Sequence, residues 1–437
     1  MPLKRQFGLW TAAALIVGQV IAVGIFLTPA GMVKAVHSPF WLLAIWLLIG
    51  SATVCGALSY SELSARYPES GGTYAFLREA FGPGVAFLYG WVVLLVIDPG
   101  LTAAFAVGLA NYFSYIVPLS PGGQTLLAIG AVWVAGAVNI RGARLGAGVM
   151  RVLIAIKIGV LLFLVLYGFL AGRGDWSNLQ PFFAFPPDWL GALIAGSVGA
   201  YFAFGGWWDA TRIAGEIKNP QKNLPRALLA GVGALTVMYI LISAVFYYLV
   251  PVGEVTDETT FAAQAGQALF GPAGGAIFAA IVVVTVLGTL FAFLMASPRV
   301  YYAMARNGLF FKAFGVLHPK WETPHRAILI QASLATLLIA TGSFDQIVSY
   351  FFMIAIAFPA LAVAGLFLIR RQPSGEFQGF HTPWYPYTPL FFLLVTVFVS
   401  SLLLIRDPWQ SLAGVAVVLA GIPVYRLVFR RSQPNTA

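Results

Sequence analysis

"YFAFGGWWDATRIAGE", Tyr201 to Glu216, closes an apolar run that begins near Trp189. A glycine pair, two tryptophans and an aspartate stand in the middle of what would otherwise be one continuous helix. Glycine frees the backbone where a Cβ would restrict it. The residues before the pair are apolar enough to lie in a bilayer, so the run reads as a membrane helix that can be interrupted at Gly205-Gly206.

The composition places the whole chain in that solvent. Of 437 residues 60% are hydrophobic and 9% charged, against roughly 25% charged in soluble domains. Backbone polar groups in lipid must be satisfied within the chain, which leaves helices or closed barrels, and the alternating strands of a barrel are absent. The fold class is therefore an all-α polytopic membrane protein. The single cysteine, Cys55, lies inside an apolar run and is assigned to packing; one cysteine permits no intrachain disulfide.

A spanning helix needs about 20 apolar residues, and twelve runs are candidates. They extend approximately from Leu9 to Gly31, Phe40 to Ala65, Val85 to Val117, Thr125 to Asn139, Gly146 to Ala171, Trp189 to Glu216, Leu224 to Val250, Gly275 to Ala305, Arg326 to Thr341, Phe344 to Ile369, Tyr387 to Ile405 and Pro408 to Phe429. The fourth and ninth fall short of that length. The first follows Lys4 and Arg5 as a signal sequence would, but it is too long for a signal h-region and lacks a small-residue cleavage site.

Orientation follows from the positive-inside rule. With both termini cytoplasmic, Lys34, Arg173 and Arg406 lie outside and Lys157 within a span, leaving 21 of the 25 basic residues in inner loops and adjoining helix ends. The net charge of +10 then faces an anionic cytoplasmic membrane surface. No nucleic-acid partner is needed to explain it, and the expected location is the plasma (inner) membrane.

"FGPG" (Phe81 to Gly84) enters the third span from the inside, and "FGPA" (Phe270 to Ala273) enters the eighth from the outside. One entry signal used five spans apart in opposite orientations fits an inverted-topology repeat. The expected division is 1–172 for spans one to five, 173–371 for spans six to ten, and 372–437 for the last two spans and a cytoplasmic tail. Both repeats open with an interruptible helix, since the first span, "IVGQVIAVGIF", carries Gly18 and Gly24. In inverted-repeat transporters such breaks lie at the midplane, where half-helix N-termini face an anionic group and freed carbonyls a cation. A zwitterion satisfies both. The competing reading is that these glycines only allow close helix packing.

With these features the sequence resembles the amino acid, polyamine and organocation transporter superfamily, most closely its L-type amino acid transporter branch. The resemblance runs over essentially the whole chain. It is carried by "IVGQVIAVGIFLTP", "YSELSARYPESGGTYAFLREAFG", "FAFGGWWDATRIAGEIKNPQKNLPRAL" and "SPRVYYAMARNGLFFKAFGVLHPKWETP". It implies a five-plus-five inverted repeat (the LeuT-like fold) with two extra helices, working by alternating access. The substrate carboxylate is then expected on backbone amides around Ala22, Val23 and Gly24. The amine is expected on carbonyls near Ile21 and on the second break at Phe202, Ala203 and Gly205. Phe202 matches the family's aromatic gate; an aromatic there can equally be core or lipid-facing. The branch usually has Gly-Ser-Gly at Ala22-Val23-Gly24 and a polar residue at Trp208. These departures imply a smaller or differently shaped pocket, suited to small neutral amino acids.

Ionisable residues within spans default to functional roles. Lys157 matches the lysine that, in sodium-independent members, occupies the place of a sodium ion, with Thr289 available as its acceptor; the alternative is a snorkelling lysine. Its ammonium either stays charged, giving pH-insensitive exchange, or releases its proton and couples uptake to a proton gradient. Asp98, before Pro99, is a proton carrier or a buried paired acid, the latter favoured. Asp209 is expected to cap the inner half-helix, mostly as a structural group.

Soluble-type chemistry is absent: there is no P-loop, dinucleotide fingerprint or Cys/His zinc spacing. His37, His318, His325 and His381 are scattered over loops. No cofactor or metal is expected, and the chain is not expected to be an enzyme. A membrane-embedded enzyme would show clustered acids or histidines at one face, and a channel a filter or charged ring. The expected partners are an amino acid substrate and the bilayer. Cys55 lies in no outer loop, so no disulfide-linked heavy chain is expected. The expected activity is sodium-independent amino acid exchange, with proton-coupled symport as the alternative.

Overall fold

A computed structural model describes residues 4–21, 24–251, 261–341, 344–372 and 377–429. The first span is broken as expected, into α1 (Leu9–Val20) and α2 (Gly24–Val36); Ala22 and Val23 lie outside the described residues. The second span is α3 (Pro39–Arg66). A short helix that the hydropathy pattern did not predict, α4 (Thr73–Phe81), precedes the third span. That span comprises α5 (Pro83–Val92), one π-helical segment at Val93–Ile97, and α6 (Asp98–Ile116). The wider π turn lies just before Pro99, which has no N–H to continue the regular ladder.

The fourth span is longer than its apolar core suggested. As α7 (Pro121–Ile140) it has 20 residues and is capped by Ser120, which accepts from the Gly123 amide. Polar Gln124 and the glycines of its first turn hid that start from a hydropathy reading. The fifth span is α8 (Ala143–Leu170). The sixth consists of α9 (Trp189–Phe204), capped by Asp188 on the Gly191 amide, the Gly205-Gly206 interruption, and a 3-10 helical segment Trp207–Glu216. Then follow α10 (Pro220–Leu249), the short α11 (Phe261–Phe270), α12 (Gly274–Ala296), α13 (Pro298–Arg306), α14 (His325–Thr341) and α15 (Phe344–Ile369). The chain ends with α16 (Tyr387–Arg406) and α17 (Pro408–Val424).

Among the described residues, nine helical runs are long and apolar enough to cross a membrane, and Leu9–Val20, His325–Thr341 and Met353–Ile369 are shorter apolar helices. Leu126, Val134, Leu166, Leu394 and Leu419 point outward from the helices that carry them, as side chains do when the surrounding solvent is lipid. The chain is thus an all-helical polytopic membrane protein.

Packing brings particular pairs together. α3 lies along α10, α6 along α12, α7 along α14, and α2 along α9, while α1 meets Trp207–Glu216. The first half of the first span therefore meets the second half of the sixth, so these two broken spans run antiparallel. Phe81-Gly82 and Phe270-Gly271 end α4 and α11 with the same device, a glycine in left-handed backbone with φ of 85° and 70° respectively. Only glycine adopts this conformation without a Cβ clash. α11 packs on α2 and α4 on Trp207–Glu216. At the end of the sixth span the chain pairs with its own beginning: the Gln6 and Phe7 amides donate to Glu216 O, and the Lys218 amide to Phe7 O.

Candidate functional site

Breaking a membrane helix strands carbonyls and amides in a medium without water, so each must find another partner. At the first break Ile21 leaves the helix with ψ of 83°. Lys157 Nζ, fully buried on α8, donates to Gly18 O at 3.1 Å, to Thr289 Oγ1 at 2.9 Å and to Ile21 O. Thr289 Oγ1 in turn donates to Ile21 O at 3.0 Å. An ammonium has three donors, and all three are used within the protein. The Tyr239 hydroxyl on α10 lies 3.1 Å from Val20 O and 2.9 Å from Ala203 O, joining the two breaks.

At the second break the glycines have different tasks. Gly205 has φ of −56°, open to any residue, but a Cβ there would stand 3.1 Å from Phe202 O. Gly206 has φ of +92°, in the left-handed region, with nothing within 3.9 Å of where its Cβ would be. The conformational need for glycine is therefore at Gly206, and at Gly205 the need is room. The interruption expected at Gly205-Gly206 thus divides its two needs between the pair.

A cavity lies between the breaks. Gln19, Gly24, Phe202, Gly205, Gly206 and Trp208 border it, the third, eighth and tenth spans add apolar walls such as Phe105, Phe293 and Ile356, and Asp209 and Arg212 close one side. Of the residues expected at a substrate site, Gly24, Phe202 and Gly205 line this cavity. Ile21 and Ala203 do not; their carbonyls are directed to Lys157 and Tyr239 instead. Lys157 and Thr289 stand behind the first break. α2 starts at Gly24, which borders the cavity, and a helix N-terminus suits an anionic group because its first amides lack intrahelical partners.

Beside the cavity is a buried charged cluster. Arg212 Nη1 donates to Asp98 Oδ1 at 2.9 Å and Oδ2 at 3.0 Å, and Tyr301 donates to Asp98 Oδ2. Asp98 is thus the buried paired acid favoured from sequence. Asp209 stands in the first turn after the break, but its partner is Arg212, whose Nε is 2.8 Å from Asp209 Oδ1; it does not act as the expected cap. Arg212, Tyr239 and Gln19 were not singled out from sequence. Arg212 carried one usable signal, as a base three residues after Asp209, where the two side chains share a helix face. Tyr239 and Gln19 carried none.

Two half-broken spans facing each other over a cavity inside a polytopic bundle are the architecture of a secondary transporter. The comparisons with known proteins narrow that class: the chain belongs to the amino acid permease family, whose profile matches residues 7–422. It is 28% identical to the serine/threonine exchanger SteT of Bacillus subtilis (strain 168), over 97% of this chain and 96% of the relative. It is 28% identical to the b(0,+)-type amino acid transporter 1 of Mus musculus, over 97% of this chain and 88% of the relative. It is 29% identical to the large neutral amino acids transporter small subunit 2 of Homo sapiens, over 99% and 82%. The superfamily and L-type-like branch read from the motifs are confirmed, and the chain is a transporter rather than an enzyme.

Proposed function

We propose that the protein is a sodium-independent exchanger of small neutral L-amino acids in the plasma membrane, working by alternating access around the cavity between the two breaks. The observation that carries this reading is the Lys157 ammonium on the carbonyls of Gly18 and Ile21. A cation built into the chain at that point takes the position a free ion would otherwise fill. The substrate carboxylate is assigned to the first break at Ala22, Val23 and Gly24, and its amine to the second break at Phe202 and Gly205, the carbonyls of Ile21 and Ala203 being taken by Lys157 and Tyr239. Phe202 is assigned the gate.

The twelve-span topology with both termini cytoplasmic belongs to the same reading, as does the division into 1–172, 173–371 and 372–437. What supports the inverted repeat is the antiparallel meeting of the broken spans and the matching left-handed glycines at Gly82 and Gly271. What supports small substrates is bulk, because Phe105, Phe202, Trp208 and Phe293 all crowd the cavity. Serine/threonine exchange, the activity in one relative's name, fits that space better than large neutral side chains do. No disulfide-linked heavy chain is assigned, since Cys55 is half-buried within α3.

Counterflow in proteoliposomes tests the reading. Labelled L-serine, L-alanine or L-leucine outside should enter only when unlabelled amino acid is inside, at the same rate when choline replaces sodium. Entry into empty liposomes down a gradient at channel-like rates, or a strict sodium requirement, would overturn it.

A further inference from the structure

We propose that Gln19 accepts a hydrogen bond from a hydroxyl on the substrate side chain, and that the cavity thereby selects serine over alanine and threonine over valine. The inference rests on the exchanger reading above and names the chemical group by which its substrate is chosen.

Gln19 stands in the last turn of α1, just before the first break, and is 3% exposed. It borders the cavity, and its Cβ lies 3.9 Å from where a Cβ of Gly206 would stand on the second break. One edge of its amide is tied to α12, because Nε2 donates to Ala292 O at 3.4 Å. Turning the amide over would set Oε1 against that carbonyl, acceptor against acceptor, so this bond decides which edge is which. Oε1 is left on the other edge, buried, and no described residue donates to it.

A buried acceptor without a donor is costly, and folded proteins rarely leave one so. The charged groups at the cavity cannot help, being engaged with one another. Arg212 Nη1 donates to Asp98, its Nε is 2.8 Å from Asp209 Oδ1, and its Nη2 donates to the Tyr89 hydroxyl at 3.5 Å. Much of the remaining wall is apolar, as at Ile97, Leu101, Phe105, Phe293 and Ile356.

The donor that Gln19 lacks is therefore sought on the substrate. Its carboxylate only accepts, and its amine is assigned to the second break. What remains is the side chain. A lysine or arginine substrate would bring a cation to a cavity whose acid, Asp209, already faces Arg212, and longer donors compete for room with Phe105, Phe202, Trp208 and Phe293. A hydroxyl is the smallest side-chain donor. A site that hydrogen-bonds a hydroxyl rejects the analogue without one, because its own polar group is then left unpaired. Valine has the shape of threonine with a methyl in place of the hydroxyl, and alanine is serine without its oxygen. If the amine were the donor instead, Gln19 would serve every amino acid alike and discriminate among none.

Counterflow of labelled L-serine or L-alanine in proteoliposomes, competed with unlabelled L-serine, L-alanine, L-threonine and L-valine, tests the proposal. In the unmutated protein serine should compete at about tenfold lower concentration than alanine, and threonine than valine, the size expected of one hydrogen bond. In Gln19→Leu, which keeps the bulk and removes the acceptor, both ratios should fall to about one. Where that variant does not purify as a single species, Gln19→Met is read in its place, and the comparison in the unmutated protein stands without either. Ratios near one in the unmutated protein overturn the hydroxyl site. So do ratios that survive in the variant, including the case where all four competitors weaken alike, which makes the amine the donor. These results leave the exchanger reading intact. A strict sodium requirement overturns that reading and leaves hydroxyl selection standing, and absence of counterflow for both labelled amino acids overturns both.

Discussion

Gly24 and Ala203 touch backbone to backbone: a Cβ on Gly24 would stand 3.0 Å from the Ala203 Cα. The two helix breaks, 179 positions apart in sequence, are therefore in direct contact, and α2 seats on α9 through a position with no side chain. Gly24→Val has to push α2 away, and overpacking of this kind costs about 1–3 kcal/mol. Substrate binding measured in detergent should weaken by about tenfold or more, since each 1.4 kcal/mol is a factor of about ten. Gly130→Ala, whose added Cβ meets no neighbour within 4 Å, serves as the control and should bind normally.

At the second break the two glycines should separate experimentally. Gly206→Ala forces an alanine to φ of +92°, a conformation that costs about 1–3 kcal/mol, and it should lower both thermal stability and affinity. Gly205→Ala keeps an ordinary φ and meets only the Phe202 carbonyl, so its loss should be smaller. The opposite order would mean that contact with Phe202 O, not backbone handedness, governs the break.

Lys157→Ala leaves the Gly18 and Ile21 carbonyls short of a donor, and a buried unpaired polar group costs about 1–3 kcal/mol. Exchange should fall by at least an order of magnitude while the protein still elutes as a single monodisperse species. Wild-type exchange by Lys157→Ala would remove the lysine from the mechanism.

Phe202 borders the cavity next to the break. A gate acts on the closing step and its rate, so Phe202→Ala should slow turnover more than it weakens binding. Unchanged turnover with a large loss of affinity would make Phe202 a contact rather than a gate.

The interruption of the sixth span was legible because a glycine pair followed by tryptophans and an aspartate contradicts a continuous membrane helix in composition alone. Which glycine needed its freedom was not, because φ leaves no mark in residue identity: Gly205 and Gly206 are the same letter with opposite backbone handedness. Lys157 was legible as a charge out of place. Its acceptors on α1 were readable only through the family resemblance, since a carbonyl is present at every position. The Asp98–Arg212 pair was half visible. The acid stood out in its apolar run, but its base is 114 positions away and lies in a segment whose polar look suggested the membrane surface. The start of α7 was hidden by Gln124 and its neighbouring glycines, which a hydropathy average counts against a span even when a serine cap begins the helix there.

The Tyr239 hydroxyl owns one hydrogen and faces two acceptors, Val20 O and Ala203 O. While the breaks are together the hydrogen is divided between them, and neither carbonyl has a full bond. When either break withdraws, the hydrogen goes wholly to the one that stays. Separation therefore strengthens one contact as it severs the other, which flattens the energy along the movement. In the proposed alternating-access cycle a phenol so placed would be a bearing between moving parts, one that holds them in register without fastening them.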